Sequence, residues 1–425
     1  MFISIPPAWC GGTLTLSQAI QEALASSPTL KRLDAAVEGE SWKRRGSTAG
    51  FLPHVTAEGT HFLDAKYAYL PINFGGESLN MPSAFPGTDL AVNVQMDLFD
   101  GFRTLKNVQA GQLNVKAARL EREDGAFKLE RQVRHLFYGA LAAQALLKVL
   151  QSRITSLEEL SQITAAREAG GAGTHYDSLR VKTQLEEAQA AKTVADDDIF
   201  LARKNLARTM GLDSDDRDLE GALPVPNSKN LSSLPRPVTA DRSDLKALDL
   251  RAKSLSKQAG AALTGYWPRV SVFGQKSFYN YGSFDPMVLT YSGYQSAYSV
   301  GLNLSWDLFD GGADLAKSKA IHAAAEQTRQ TLREAHLQAS DDIETWARRY
   351  MDYTLLYQAN LRNIERAEES LRLSKLGLRE GTQINLEVLE AESDLYNARV
   401  NSIQSQVNAA DAWMKLEVAL GKALP

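Results

Sequence analysis

The chain has 425 residues, with 47 lysines and arginines against 51 aspartates and glutamates and a formal net charge of −4. No basic surplus argues for a nucleic-acid partner, and a single cysteine excludes an intrachain disulfide framework. No apolar run reaches the roughly 18 residues of a membrane-spanning helix, which leaves open a β-barrel, whose strands need only about 9–11 alternating residues.

Residues 1–13 read as a leader or the remnant of an export signal. Cys10-Gly11 invites a lipid-anchor reading, but Trp9 is bulky where a lipoprotein signal wants a small residue, so Cys10 reads as incidental. A first repeat is expected over 14–212, with a helix over 16–47, strands near 51–64 and 89–99, and helices over 102–168 and 176–210. In the second strand Leu90, Val92, Val94, Met96 and Leu98 alternate with polar or small residues, which is one oily and one wet face. It ends at Leu98-Phe99-Asp100-Gly101, where the period changes to helical. Residues 213–242, with Pro224, Pro226, Pro235 and Pro237, form a polar linker.

A second repeat follows over 243–422, with a helix over 243–263, strands near 268–281 and 294–309, and helices over 312–378 and 385–421. Tyr298, Val300, Leu302, Leu304, Trp306 and Leu308 make its oily face, and the strand ends at Asp310-Gly311. Asp100 and Asp310 suit helix N-caps, accepting bonds from the first free N–H groups. The repeats align directly. Gly50-Phe51-Leu52-Pro53-His54-Val55 matches Gly265-Tyr266-Trp267-Pro268-Arg269-Val270, Gly171 and Asp177 match Gly381 and Glu387, and Gly211 matches Gly421. The offset narrows between Pro53 and Leu98, placing an insertion in a loop over Leu70 to Gly76.

Tracts 87–223 and 287–424 lack proline, so their helices run uninterrupted. Spacings of three and four alternate along Val133, Leu136, Ala140, Ala143, Leu147, Leu150, Ile154 and Leu157. They alternate again along Leu386, Leu389, Ser393, Tyr396, Val400, Ile403, Val407, Ala410 and Met414. Both are coiled-coil seams. The helix over 102–168 would be near 100 Å long at 1.5 Å per residue, and two shorter helices end to end would match it. The fold class is therefore mainly α, long coiled-coil helices forming an α-barrel, with four membrane strands per chain. Four strands cannot close a barrel, for which eight is about the smallest number, so several chains must share one. Three chains, giving twelve strands, is the simplest choice.

The ordered set of Leu-Phe-Asp-Gly junctions, Phe-Leu-Pro and Tyr-Trp-Pro strand starts, and the segment Arg379-Glu380-Gly381-Thr382 followed by Leu386-Glu387-Val388-Leu389-Glu390 resembles the TolC-type outer-membrane efflux channels over about 14–422. The resemblance implies a homotrimer with a twelve-stranded barrel in outer-membrane lipid and a helical tunnel extending into the periplasm. It also implies docking by a periplasmic adaptor protein and an inner-membrane pump of the RND or ABC type. The duct serves tripartite efflux or type I secretion and is gated at the helix tips. Gly171, Gly173 and Thr174 in one tip, and Gly381 and Thr382 in the other, would face the adaptor. Glu387 and Glu390, three apart on one helical face, and Asp177 would ring the periplasmic aperture, where carboxylates favour cations. Some family members latch the closed state with a tyrosine and an arginine near the second tip. Leu378 and Gln383 stand there in this chain, so other contacts must serve.

Phe62, Tyr67, Tyr69, Tyr279, Tyr281, Tyr291, Tyr294, Tyr298 and Trp306 cluster beside the strands, where some suit interfacial girdles and Tyr291 and Tyr294 read equally as exposed loop residues. Enzymatic chemistry finds no support. The histidines at 54, 61, 135, 175, 322 and 336 hold no metal-ligand spacing, Gly170-Gly171-Ala172-Gly173 lacks the Lys-Ser/Thr of a phosphate loop, and neither catalytic residues, a metal nor a cofactor is expected. The alternative from another class is a soluble or peripheral coiled-coil structural or adaptor protein without transport, which leaves the oily strands unexplained.

Overall fold

In the computed structural model the described residues are 12–63, 68–83, 87–227, 242–280 and 294–424, with 68–74 and 78–83 as backbone. Cys10, Tyr67, Pro235, Pro237, Tyr281 and Tyr291 fall outside them. The elements in order are β1 (Thr13–Thr15), α1 (Leu16–Ser26), α2 (Pro28–Thr48), β2 (His54–His61), β3 (Ala68–Phe74), β4 (Glu77–Ser83), β5 (Thr88–Phe99), α3 (Arg103–Ala169), α4 (His175–Met210), β6 (Asp218–Glu220), α5 (Ser243–Ala262), β7 (Arg269–Asn280), β8 (Gln295–Ser305), α6 (Ala313–Glu380) and α7 (Asn385–Leu420). Two compact units share the chain. One draws on 1–37, 118–247 and 331–425, the other on 38–117 and 248–330.

The second unit is built on an antiparallel sheet of order β2-β5-β7-β8, so the two halves of the chain meet at the β5–β7 pair. Register puts Val55, Val94, Gly274 and Val300 in one cross-strand row of one face, and Ala57, Val92, Lys276 and Tyr298 in the next. A bulge between Asp97 and Phe99 brings Phe99, not Leu98, opposite Val270. Tyr298, Val300, Leu302 and Leu304 of the edge strand β8 are between 69 and 79% exposed, an oily face with no covering layer in the single chain. β8 stops at Ser305, short of the strand expected to 309, because Asp307 onward turns toward α6.

Four further features depart from the sequence expectations. The helix expected over 16–47 is two, because Pro28 has no N–H to give and Ser27 before it takes an extended ψ of 128°. The first strand is shorter than 51–64, since a 3₁₀ turn occupies Ala49–Phe51. The insertion expected as a loop over Leu70 to Gly76 is a hairpin, β3 paired with β4 across Gly75 and Gly76, both at positive φ (61° and 97°). Finally, β1 pairs in parallel with β6, so residues assigned to the leader and the linker are partly strand.

In the first unit that pairing carries Leu14 into a core with Ala19, Ala23, Leu129, Val133, Phe137, Leu206 and Met210. Fully burying a side chain such as Phe137 is worth about 1.5–3 kcal/mol. A second core holds Leu157, Leu160, Val181, Leu371, Leu378, Val388 and Leu395 from all four long helices. The deeply buried stripe of α7 is Val388, Ala391, Leu395, Ala398, Ser402, Ser405, Ala409, Ala412 and Leu416. It keeps the three–four alternation but lies one or two positions from the seam of larger residues. Beside Val388, Leu395 and Leu416 it holds four alanines and two serines, small side chains that let neighbouring backbones approach closely, while Leu389, Ala410 and Met414 of the larger seam are buried as well.

One buried charge pair crosses this packing. Arg131 Nε lies 3.1 Å from Glu417 Oε2, with both side chains nearly inaccessible, and the guanidinium covers the Phe127 ring at 3.7 Å. Glu417 Oε1 also accepts from the Leu424 N–H at 2.9 Å. Arg131 Nη1 also donates to Glu130 Oε2 at 2.9 Å, so losing Glu417 leaves the buried guanidinium one carboxylate rather than none. Glu417→Ala is therefore expected to cost about 1.5–3 kcal/mol in chemical denaturation, the range of a hydrogen bond to a charged group, and Arg131→Met with Glu417→Leu to recover most of that loss.

A second prediction concerns pH. His135 Nδ1 meets Asp411 Oδ1 at 3.0 Å, and this hydrogen bond raises the imidazole above its ordinary value of 6.5. Because the folded value is the higher one, the stabilisation is complete below about pH 6 and lost as pH rises through the folded pKa. The denaturation midpoint should fall between pH 6 and pH 8, and His135→Gln should flatten that part of the profile.

Candidate functional site

The residues singled out at the helix tips all fall in the first unit. Both tips reverse the chain by the same device. Gly171 and Gly381 each take φ 75°. The Ala172 N–H reaches Arg167 O at 2.8 Å and the Thr382 N–H reaches Gly377 O at 2.8 Å, with Gly171 to Glu168 and Gly381 to Leu378 inside them. This is the paired closure that a left-handed residue after a helix permits, and glycine takes it without strain.

Beyond the glycine the two tips diverge. At the start of α4, Thr174 Oγ1 donates to Asp177 Oδ2 at 2.6 Å and accepts from the Asp177 N–H at 3.2 Å, a closed capping box. Asp177 is half-buried, and its carboxylate is engaged by its own helix. At the start of α7 the cap position is Ile384, which has no side-chain oxygen to offer. Glu387, aligned with Asp177, is exposed and makes no side-chain hydrogen bond or ion pair among the described residues. The same holds for Glu390. With Asp394, Asn397, Asn401 and Gln404 they form one continuous wet stripe along α7, opposite its buried stripe. Thr382 Oγ1 donates to Gly377 O at 3.2 Å rather than pointing to solvent.

A large and a small residue have exchanged places between the tips. Arg167 sits over Gly173, where an added Cβ would lie 3.2 Å from the arginine's own Cβ. In the other tip the arginine's place is taken by Gly377, and the glycine's by Gln383, whose side chain fills the space above Gly377. Arg167 makes a contact between the tips that the sequence does not single out. Its Nη1 donates to Leu378 O at 2.6 Å and its Nη2 to Ala172 O at 3.4 Å, so one guanidinium ties the first tip to the second. Both bonds are to backbone, for which residue identity carries no signal. A cleft of about 260 Å³ beside it is lined by Arg167, Gly171, Gly173, Thr174, Asp177 and Asn385. At its edge His175 Nδ1 meets Glu168 Oε1 at 2.7 Å, which holds the Glu168 carboxyl below its usual range. Deeper between the hairpins, Lys375 Nζ donates to Ser156 Oγ at 2.7 Å, and Ser156 donates to Glu392 Oε2 at 2.8 Å.

The strand-to-helix junctions lie in the second unit. Asp310 Oδ2 accepts from the Asp314 N–H at 2.7 Å and Oδ1 from the Gly312 N–H at 2.8 Å, and these donors hold its carboxyl below the usual range. Asp100 Oδ2 likewise accepts from the Thr104 N–H at 2.7 Å. Each aspartate therefore reaches across a left-handed pair to the first helical turn, rather than occupying the cap position itself. Gly311 and Gly312 form one such pair, Gly101 and Phe102 the other. Gly101 has no room for a side chain, since a Cβ would lie 2.8 Å from the Trp267 Cβ. Phe102 bears positive φ without being glycine and packs edge-on against Phe99.

The family described as outer membrane efflux protein matches residues 19–212 and 234–422. The probable efflux pump outer membrane protein TtgC of Pseudomonas putida is 24% identical over 427 residues, covering 96% of this chain and 82% of that protein. The alkaline protease secretion protein AprF of Pseudomonas aeruginosa is 25% identical over 305 residues, 68% of this chain and 60% of that one. The solved outer membrane protein VceC of Vibrio cholerae superposes with a TM-score of 0.76 at 20% identity, covering 96% of this chain and 97% of that one.

Arg167→Ala should loosen the tips without unfolding the protein. Amide hydrogen exchange is expected to rise in segments 170–174 and 377–384, about tenfold for the loss of a charge-assisted bond, and to stay unchanged in the α1–α3 core around Phe137.

Proposed function

The chain belongs to the outer membrane efflux protein family, and on that premise we propose that it is the passive outer-membrane duct of a tripartite efflux or type I secretion system. Proteins of this family are channels rather than enzymes. The chain is an outer-membrane protein that extends into the periplasm. Its β2-β5-β7-β8 sheet is the part that meets lipid, and its long helices are the periplasmic part.

The observation that carries the finer reading is the sheet itself: one oily, uncovered face and two edge strands, β2 and β8. In hydrocarbon every backbone donor and acceptor must be paired within protein, so an open edge is excluded. β8 of one copy pairing with β2 of the next removes both edges. Three copies give a twelve-stranded wall, above the roughly eight strands a barrel needs. A homotrimer is the assembly we infer.

The helix tips then form the periplasmic aperture. Glu387 and Glu390, exposed and without partners among the described residues, line it as two acidic rings, and rings of carboxylates favour cations. Asp177 belongs to the aperture by position, with its carboxylate held by Thr174. Arg167, bridging the tips through Leu378 O, is the closing contact that stands in for a tyrosine–arginine latch. Gly171, Gly173, Thr174, Gly381 and Thr382 form the surface offered to a periplasmic adaptor. An inner-membrane pump of the RND or ABC type supplies the energy, in keeping with relatives named for efflux pumps and for protease secretion.

Purified protein added to a planar bilayer is expected to give discrete conductance steps that prefer cations. In a tenfold salt gradient, Glu387→Ala with Glu390→Ala should move the reversal potential toward zero, while Arg167→Ala raises the open fraction without changing selectivity. Protein that inserts but never conducts, with both glutamates removed, would overturn the duct.

A further inference from the structure

We propose that Lys276 and Ser296 form a binding site for a lipid-borne phosphate on the outer face of the sheet, near the end away from the helices. The proposal rests on the membrane reading above.

The oily face can be read row by row from the strand register. Val270 with Leu304, then Met96, Val272 and Leu302, then Val55, Val94, Gly274 and Val300, make three rows without a polar side chain. The next row outward is Ala57, Val92, Lys276 and Tyr298, followed by Gly59, Leu90, Phe278 and Ser296. His61, Thr88 and Asn280 come last, with His61 Nδ1 bonded to Thr88 Oγ1 at 2.8 Å. The face thus passes from apolar to polar over the last three rows, and Lys276 is the first polar group met.

A lysine at that depth is costly in hydrocarbon unless its ammonium reaches the interface or a partner. On this face among the described strand residues there is no aspartate or glutamate to serve, since Glu58, Asp89 and Asp97 all fall on the opposite face. Lys276 Nζ turns instead toward the polar rows, donating to Ser296 Oγ at 3.0 Å, one row or about 7 Å nearer the strand ends. The Phe278 and Tyr298 rings flank it, with centroids 5.3 and 5.9 Å from the nitrogen. Aromatic faces lower the cost of holding the cation there but leave its other two N–H donors without an anion. A half-buried cation, an adjacent hydroxyl donor and a flanking aromatic pair at the level where headgroups begin are complementary to a phosphate monoester or diester whose acyl chains lie along the three apolar rows.

Native mass spectrometry of the detergent-purified protein tests this with phosphatidylglycerol, with diacylglycerol, which lacks the phosphate, and with inorganic phosphate as a soluble competitor. Wild type should retain phosphatidylglycerol in preference to diacylglycerol. K276M should bind phosphatidylglycerol about tenfold more weakly, S296A should lose part of that, and K276R should keep it. Equal retention of phosphatidylglycerol by wild type and K276M would overturn the site, as would displacement by inorganic phosphate at equal concentration. Wild type that takes up neither lipid would instead overturn the membrane reading on which the site rests.

Discussion

The constraint on which the rest depends is the open hydrogen-bonding edge of a four-stranded sheet. β2 and β8 each present a row of unpaired N–H and C=O groups, and β8 adds side chains more than two-thirds exposed. In water such an edge invites aggregation, and in lipid every unpaired group costs several kcal/mol. Among the described residues nothing in the single chain pairs with it: β3 and β4 pair with each other, as do β1 and β6. The proposed assembly thus answers a demand of backbone chemistry before it is a matter of function, and α3 and α6 follow β5 and β8 through short junctions.

Those junctions show how little freedom the connection has. Asp100 and Asp310 each bind the fourth N–H beyond themselves, across two left-handed residues. In the second copy both are glycine, whereas in the first Phe102 accepts the strain and is held by Phe99. An aspartate that accepts from the first helical turn, followed by a glycine at positive φ, leaves few residue choices at either junction. For that reason the Leu-Phe-Asp-Gly signature is readable in the chain at all.

Much of the architecture was legible on the same terms. Strands with one wet and one oily face alternate plainly, and proline-free tracts with three–four spacing are long helices. What escaped did so for identifiable reasons. Pro28 splits the first helix, but a single proline after serine is easily passed over within a good periodic pattern. Gly75-Gly76 is a hairpin signal, but it lies in a segment that the offset between the halves marks as an insertion. Much of the buried stripe of α7 is alanine and serine, which a search for large apolar residues ranks low, although small side chains are what permit close packing. At the tips, Gly171, Gly381, Asp177 and Glu387 could be picked from the alignment of the halves, and Glu390 from the family resemblance. The bridge from Arg167 to Leu378 O could not, because its acceptor is a carbonyl that any residue supplies.

Duplication explains why the acidic residues at the tips are not equivalent. An acid three residues past a helix cap either closes a capping box or turns to water, and the choice belongs to the cap residue. Thr174 captures Asp177, while Ile384 has nothing with which to capture Glu387. One turn further, the first copy carries Arg180 where the second carries Glu390, and both are exposed. Among these positions the first hairpin therefore offers a capped carboxylate and an exposed cation, the second two exposed carboxylates, and the difference in capping traces to Ile384 standing where the first copy has Thr174.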